Sequence, residues 1–324
     1  MNEMKLTVPH EDAGKRIDSW LSEHIDGLTR SAVQNLLAEQ AVNADGKSVK
    51  KNYKLAGGEV LTVIMPELRE VDLAAEDIPL DIVYEDEHIL LINKPSGMLS
   101  QKAKETDESL VEYLIDYLLD SGKLKKEDLA CFRPSVCNRL DRNTSGIVAA
   151  GRSLPGLQIM SEVIKDRSLG KYYVCVVRGI VKGEARIEGW LTKNEKTNQV
   201  SIRKEETPGS LPIRTAYRPL ASGNGYTLLE VHLITGRSHQ IRAHLAYLGK
   251  PVLGDIKYGN RKMNERTGTR TQALCAVRIS FLDIPEENTL HYLTGKVIKL
   301  KDPQILKQFD ALDKNKEGAT SWQT

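Results

Sequence analysis

Asp141 is the one carboxylate in the run NRLDRNTSG, residues 138–146. Arg139 and Arg142 flank it, and Asn143, Thr144 and Ser145 can donate hydrogen bonds, so the ionised form is favoured. An ionised carboxylate held in place is a usable nucleophile. Taken alone, the nonapeptide reads more readily as an ion pair capping a turn before the apolar strand IVAAG. A second cluster shifts that balance. The stretch LLEVHLITGRSHQIRAHLAYLGKPVLGD, residues 228–255, gathers Arg237, His239, Gln240, Arg242 and His244 around a strand end, a Thr-Gly turn and a helix start. Two arginines beside Gln and His suit an anion and the edge of a base. His239 and His244 are five residues apart, off a common helical face, and make a poor metal pair. Between the clusters, KYYVCVVRG (171–179) reads as a strand on which Tyr173 is either ordinary core or a ring for stacking on a base. Neither Ser145 nor Ser238 sits in a G-x-S-x-G elbow, which argues against a serine hydrolase.

These clusters need a scaffold, and the chain is long enough to supply one. Its 324 residues, 40 % hydrophobic and 28 % charged, fit a globular protein of two domains. A net charge of +2 leaves any nucleic acid to be met by local patches. The four cysteines, Cys131, Cys137, Cys175 and Cys275, form no C-x-x-C and no zinc spacing. Such scattered thiols suit a reducing cytosol. The N-terminal stretch has no apolar signal core and no run reaches membrane-spanning length, so a cytoplasmic protein without a membrane partner is expected.

Residues 1–65 read as a small separate unit. Ile17, Trp20, Leu21 and Ile25 recur at helical spacing, and a second helix follows the cap candidate Thr29 with Ala32, Val33, Leu36 and Leu37 on one face. AVNADGKSV predicts two strands about a tight turn at Asp45-Gly46, and EVLTVIMP a third strand. The acidic stretch 66–79, with a proline at each end, reads as a linker. A large domain then runs over 80–310. It opens with a strand pair around EDEH and continues with a helix between the cap candidate Asp107 and the stop Gly122. Strands are expected in KYYVCVVRGIV, YTLLEVHLI and CAVRISFLDI, and a helix in HQIRAHLAYLGK, stopped at Gly249. Helices and strands do not alternate regularly, so the predicted class is α+β on a mixed, mostly antiparallel sheet. Residues 311–324 read as a polar tail.

The small unit resembles the S-four-type RNA-binding domain. By that resemblance Arg16, Arg30, Ser31, Gln34 and Lys47 lie on the RNA-facing side. The unit is not basic overall, with eight Lys/Arg against nine Asp/Glu in residues 1–66. In the large domain RLDRNTSG, KYY and TGRSHQIRAHLAYLGKPVLGD, in that order, resemble the RluA family of pseudouridine synthases, and YEDEHILLINKPSGMLSQ resembles that family's opening hairpin. The resemblance implies that Asp141 is the catalytic aspartate, and that Arg139 fills the stack when the target nucleotide flips out. It implies that Tyr173 packs against the uracil, Arg242 pairs with Asp141, and Leu274 lines the pocket. Arg142, Arg237, His239 and Gln240 are then expected at the RNA. Many members carry His where this chain has Asn138, and L-H-A where it has LCA. The implied activity is isomerisation of uridine in RNA, most often large-subunit (23S) ribosomal RNA, without cofactor or metal; a monomer is expected because nothing in the sequence suggests otherwise. Transfer RNA is the alternative substrate, and a non-catalytic RNA-binding assembly factor the alternative function; the intact Asp141, Tyr173 and Arg242 argue against the latter.

Overall fold

The computed structural model describes residues 2–25, 28–65, 79–259, 261–269 and 271–312. The expected linker therefore lies outside the described residues except for Pro79. The expected tail also lies outside them, except for residues 311 and 312, which end a helix. The chain divides into two compact units, Met1–Pro79 with Glu112–Ser135 and Leu80–Val111 with Val136–Thr324. Among the described residues no helix is long and apolar enough to cross a membrane.

In the first unit, strands β1 (Asn2–Thr7), β2 (Val42–Ala44), β3 (Lys47–Ser48) and β4 (Val60–Met65) form a sheet in the order β1-β4-β2-β3. Helices α1 (Ile17–His24) and α2 (Arg30–Ala38) bury their periodic apolar faces in the same core as Val42, Leu61 and Val63. Thr29 caps α2 as expected, its Oγ1 accepting the Ala32 N–H at 3.1 Å. Asp45 and Gly46 have φ of 45° and 75°, the left-handed pair that a two-residue hairpin requires. Helix α3 (Leu110–Asp120) stops at Gly122 as the sequence predicts, with φ of 67° there. Asp107 does not cap it; that carboxylate accepts instead from the N–H groups of Ala103 and Lys104. The sequence placed Glu112–Ser135 in the large domain, but this segment groups with the first unit. Cys131 packs on the first unit's core, and its carbonyl accepts the Thr29 N–H.

The remaining strands are β5 (Ile82–Glu85), β6 (Ile89–Lys94), β7 (Ser135–Val136), β8 (Ser145–Gly151), β9 (Leu169–Arg178), β10 (Ala185–Asn194), β11 (Gln199–Arg203), β12 (Leu211–Gly223), β13 (Tyr226–Leu233), β14 (Leu274–Phe281) and β15 (Val297–Lys299). The helices are α4 (Leu154–Lys165), α5 (Gln240–Tyr247), α6 (Arg261–Thr267) and α7 (Gln304–Leu312). The main path of the sheet runs β11-β10-β12-β13-β9-β14-β8-β6-β5. Every pairing along it is antiparallel except β14 with β8. This is the expected mixed, mostly antiparallel α+β sheet. Alternate residues of β9 face opposite sides. Val174 and Val176 join a core with Met160 and Val163 of α4 and Ile305, Leu306 and Phe309 of α7. The other side carries α5, whose Ala243 packs on Leu191, Val200 and Ile213. Gly146 explains the last letter of NRLDRNTSG. Its φ is 109°, and a Cβ there would lie 2.1 Å from the Ala276 carbonyl oxygen, so only glycine lets β8 meet β14 at this point.

Candidate active site

The carboxylate of Asp141 lies between two elements. Its Oδ2 accepts a hydrogen bond from Nη1 of Arg242 at 2.6 Å, and its Oδ1 lies 3.9 Å from Nε2 of His239. The other edge of the Arg242 guanidinium is bound bidentately by Asp255, with Nε donating at 2.7 Å and Nη2 at 3.0 Å. Arg242 is 6 % exposed and Asp255 1 %, so this pair is protected from water on the inner side. Asp255 also accepts the N–H groups of Lys257 and Tyr258. Burial alone would raise its pKa, but Arg242 and those N–H groups hold it below the ordinary carboxylate range. Burial opposes the charge of Arg242 as well, yet Asp255 and Asp141 keep the guanidinium firmly protonated. The ring of Tyr258 completes the cage, with its centroid 5.2 Å from Cζ of Arg242 and its hydroxyl 2.8 Å from Nδ1 of His239.

The loop that carries Asp141 is clasped by the turn after β6. The Lys94 ammonium, with no exposed surface, donates to the carbonyls of Pro95 and Met98 at 2.9 Å and of Arg142 at 3.2 Å. Burial pulls its pKa down to about 8, against the attraction of Asp141. Ser100 both donates to the Leu140 carbonyl and accepts the Leu140 N–H, while Ser96 donates to the Asn143 carbonyl. Arg142 Nε donates to the Gly97 carbonyl. Asn138 accepts the Ala149 N–H through its side chain, tying the start of the run to β8.

A small cavity of about 60 Å³ is lined by Arg139, Asp141, Tyr173, Arg237, His239, Gln240, Arg242 and Leu274, with Leu140, Thr144, Leu233 and Ile241. The structure thus brings together eight of the nine site residues expected in the large domain. Tyr173, 5 % exposed, comes from the middle of β9 and Leu274 from the start of β14. Burial, reinforced by the charge of Asp141, pushes the Tyr173 phenol well above its ordinary range, so it is a neutral O–H donor at pH 7. Burial likewise keeps His239 below the usual imidazole range despite Asp141 nearby. Arg139 and Arg237 are exposed at the rim. Arg142, the ninth, is exposed but lies outside the cavity lining.

Gln240 departs from its expected place at the RNA. It is 2 % exposed; Nε2 donates to the Arg214 carbonyl and Thr215 Oγ1, and Oε1 accepts from Thr235 Oγ1 and the Arg237 N–H. With all four bonds made inside the protein, it fixes the turn before α5 instead of reading a base edge. His244 is similarly internal, its Nδ1 3.2 Å from Thr215 Oγ1 and its pKa pulled down to about 4 by burial. The cysteines Cys137 and Cys275 are held up at about 12 and about 11 by burial, too high for reactive thiolates at neutral pH. Sequence reasoning missed Asp255, Tyr258 and Lys94. Their signals were present: Lys94 ends the apolar run ILLINK, and Asp255 closes the second cluster.

In the first unit, Arg16, Arg30 and Gln34 converge on one carboxylate that the sequence did not single out. Asp18 has no exposed surface and accepts from Arg16 at 2.9 and 3.0 Å, from Arg30 at 3.1 and 3.0 Å, and from Gln34 at 3.1 Å. The Arg16 bonds foremost hold Asp18 far below the ordinary carboxylate range. Ser31 and Lys47 are exposed.

Residues 88–247 match the model of the RNA pseudouridylate synthase family. An RNA pseudouridine synthase of Bacillus subtilis is 30 % identical over 305 residues, covering 94 % of this chain and 95 % of the relative. The chain belongs to the RNA pseudouridine synthase family. Another family member, the ribosomal large subunit pseudouridine synthase D of Xylella fastidiosa, is 32 % identical over 86 % of this chain and 84 % of its own. The human RNA pseudouridylate synthase domain containing 4 has the same fold, with a TM-score of 0.56 and 18 % identity over 72 % of this chain and 92 % of that one. As an RluA-type RNA pseudouridine synthase, the protein is an isomerase of uridine in RNA, and the Asp141 cavity is its candidate active site.

Proposed function

We propose that this synthase acts on large-subunit (23S) ribosomal RNA and that Asp141 is its nucleophile. The supporting observation is the Asp141 carboxylate fixed 2.6 Å from Nη1 of Arg242, at a cavity that Tyr173 and Leu274 also line. The reaction breaks the bond from uracil N1 to ribose C1′, turns the base and joins C5 to C1′. The C5 proton leaves and N1 gains one, so the product is an isomer and the step calls for no cofactor or metal. A retaining glycosidase needs two carboxylates because water completes its reaction. Here the detached base is the second partner, and one carboxylate suffices. Asp141 can serve attack on the sugar carbon, attack on the uracil ring, or a glycal route.

Arg242, locked by Asp255, orients Asp141. Tyr173 packs against the uracil and offers a neutral hydroxyl donor. Arg139 at the rim fills the stack vacated by the flipped nucleotide, whose extrusion costs a few kcal/mol. Arg237, His239 and Arg142 meet the RNA around it. Residues 1–65 act as an S-four-type RNA-binding domain through Arg16, Arg30, Ser31, Gln34 and Lys47, with Asp18 aligning the first two. The protein works in the cytoplasm as a monomer. The ribosomal target is supported by relatives named as large subunit pseudouridine synthases C and D. Incubation with unmodified ribosomal and transfer RNA, without added cofactor or metal, tests this reading by carbodiimide-dependent stops in reverse transcription. New stops in large-subunit RNA that Asp141→Asn fails to produce are expected. Stops confined to transfer RNA would overturn the target.

A further inference from the structure

A second cavity, of about 420 Å³, opens on the opposite face of the sheet from the active site. Tyr173 faces Asp141, and its neighbour Tyr172 projects from the other side of β9. There a row of register partners crosses five strands: Arg186 on β10, Ala216 on β12, His232 on β13, Tyr172 on β9 and Arg278 on β14. Three of them form a continuous stack. The rings of His232 and Tyr172 lie 4.4 Å apart at 14°, and Cζ of Arg278 sits 3.8 Å from the centroid of the Tyr172 ring. Glu230, buried beneath, accepts from Arg278 Nη2 at 3.1 Å and from Arg218 Nε at 2.8 Å, fixing both guanidinium groups.

The stack is interrupted at Ala216, whose methyl group cannot span the gap between His232 and Arg186. Those two residues are two strands apart, roughly 9.6 Å at ordinary interstrand spacing. A flat ring in van der Waals contact on both faces needs about 7–8 Å. The gap is therefore one ring wide, and the cavity lies there, lined by His232, Ala216, Arg186, Arg218, Glu184 and Glu230. Burial and the nearby Arg278 keep His232 below the ordinary imidazole range, so it presents a neutral ring at pH 7. Arg186 and Arg218 are 60 % and 43 % exposed at the mouth, where they can reach an anion.

We propose that this slot binds one nucleotide, with its base stacked on His232 as the missing rung and its phosphate held by Arg186 and Arg218. Where the nucleotide belongs to the substrate RNA, the proposal rests on the RNA-modifying reading above and adds a contact remote from the target uridine. A free nucleotide offers the same chemistry, and the test separates the two sources. Ala216→Leu fills the slot and His232→Ala removes its stacking wall; thermal melts confirm that each variant folds. Adenosine and uridine 5′-monophosphates are titrated by saturation-transfer NMR, and a fluorescein-labelled ribosomal RNA hairpin by anisotropy, with Asp141→Asn as the reference. A stacked base is expected to contribute on the order of ten-fold in affinity. Loss of mononucleotide signal in both variants assigns the slot to free nucleotides. A roughly ten-fold weaker RNA complex in both, with no mononucleotide signal in wild type, assigns it to RNA. Unchanged RNA affinity together with an unchanged or absent mononucleotide signal overturns the proposal. If wild type fails to bind or modify any RNA, the RNA reading itself falls, and the mononucleotide titration alone then decides the slot.

Discussion

Asp255→Asn isolates the role of the buried clamp behind Asp141. Arg242 makes three hydrogen bonds to carboxylates, at 2.6 Å to Asp141 and at 2.7 and 3.0 Å to Asp255. An asparagine oxygen in the Oδ1 position can still accept from Arg242 Nη2 and the N–H groups of Lys257 and Tyr258. Its amide NH2 then faces Nε–H, so one charge-assisted bond is replaced by two opposed donors. Losing that bond costs about 1.5–3 kcal/mol, and the buried guanidinium also loses half of its countercharge, for a total of about 3–5 kcal/mol. For a unit of this size each kcal/mol lowers Tm by about 2–4 °C, so a fall of roughly 6–20 °C is expected. Arg242 can then rotate toward Asp141, and a shift of about 1 Å at the reacting group costs on the order of 100-fold in rate. Single-turnover kinetics on a modified RNA site should therefore show kcat reduced by that order with RNA affinity unchanged. A variant with wild-type Tm and a rate within two-fold of wild type would refute the clamp.

Gly146→Ala should destabilise the fold by at least about 3 kcal/mol in urea titration, because its left-handed φ and its contact with the Ala276 backbone are both violated. Lys94→Met takes the ammonium donor from the Pro95 and Met98 carbonyls and leaves the Arg142 carbonyl with the Gly97 N–H alone, and a loss of about 3 kcal/mol with a roughly ten-fold slower reaction is expected. Lys94 titrates at about 8 in the folded chain against 10.5 when free, so wild-type stability should rise with pH between those values, and the rise should be absent in the Met variant. Asp18→Asn should melt below wild type at pH 7. Because the folded pKa of Asp18 is depressed, the gap should close only as pH falls below its ordinary value of 3.8, which thermal melts across pH 2–7 would show.

The sequence made the functional side chains more legible than the contacts that hold them. The mixed sheet, the Thr29 cap and the Asp45-Gly46 hairpin follow from periodicity and capping over short stretches, whereas the meeting of Asp141, Tyr173 and Arg242 was implied only by the family resemblance of three ordered motifs. Asp255, Lys94 and Asp18 were harder to read because each works through partners brought near only by folding; Lys94, for example, reaches Arg142 across 48 positions. Gln240 illustrates the converse error. It lines the cavity with its neighbours Arg237, His239 and Arg242, but the helix start turns its amide onto Thr215 and Thr235. Strand β1 escaped reading because its edge position leaves most of its residues exposed, with little apolar alternation.

If the Asp141 carboxylate carries the isomerisation, the hydrogen expelled from uracil C5 supplies the assay. Forming the new bond at C5 expels the hydrogen there, so ribosomal RNA transcribed with 5-tritiated uridine releases tritium to water only if the reaction runs. Wild type should release one equivalent per modified site, while Asp141→Asn binds the same RNA with comparable affinity and releases none above background. Tritium release by Asp141→Asn at a rate near that of wild type would contradict the account.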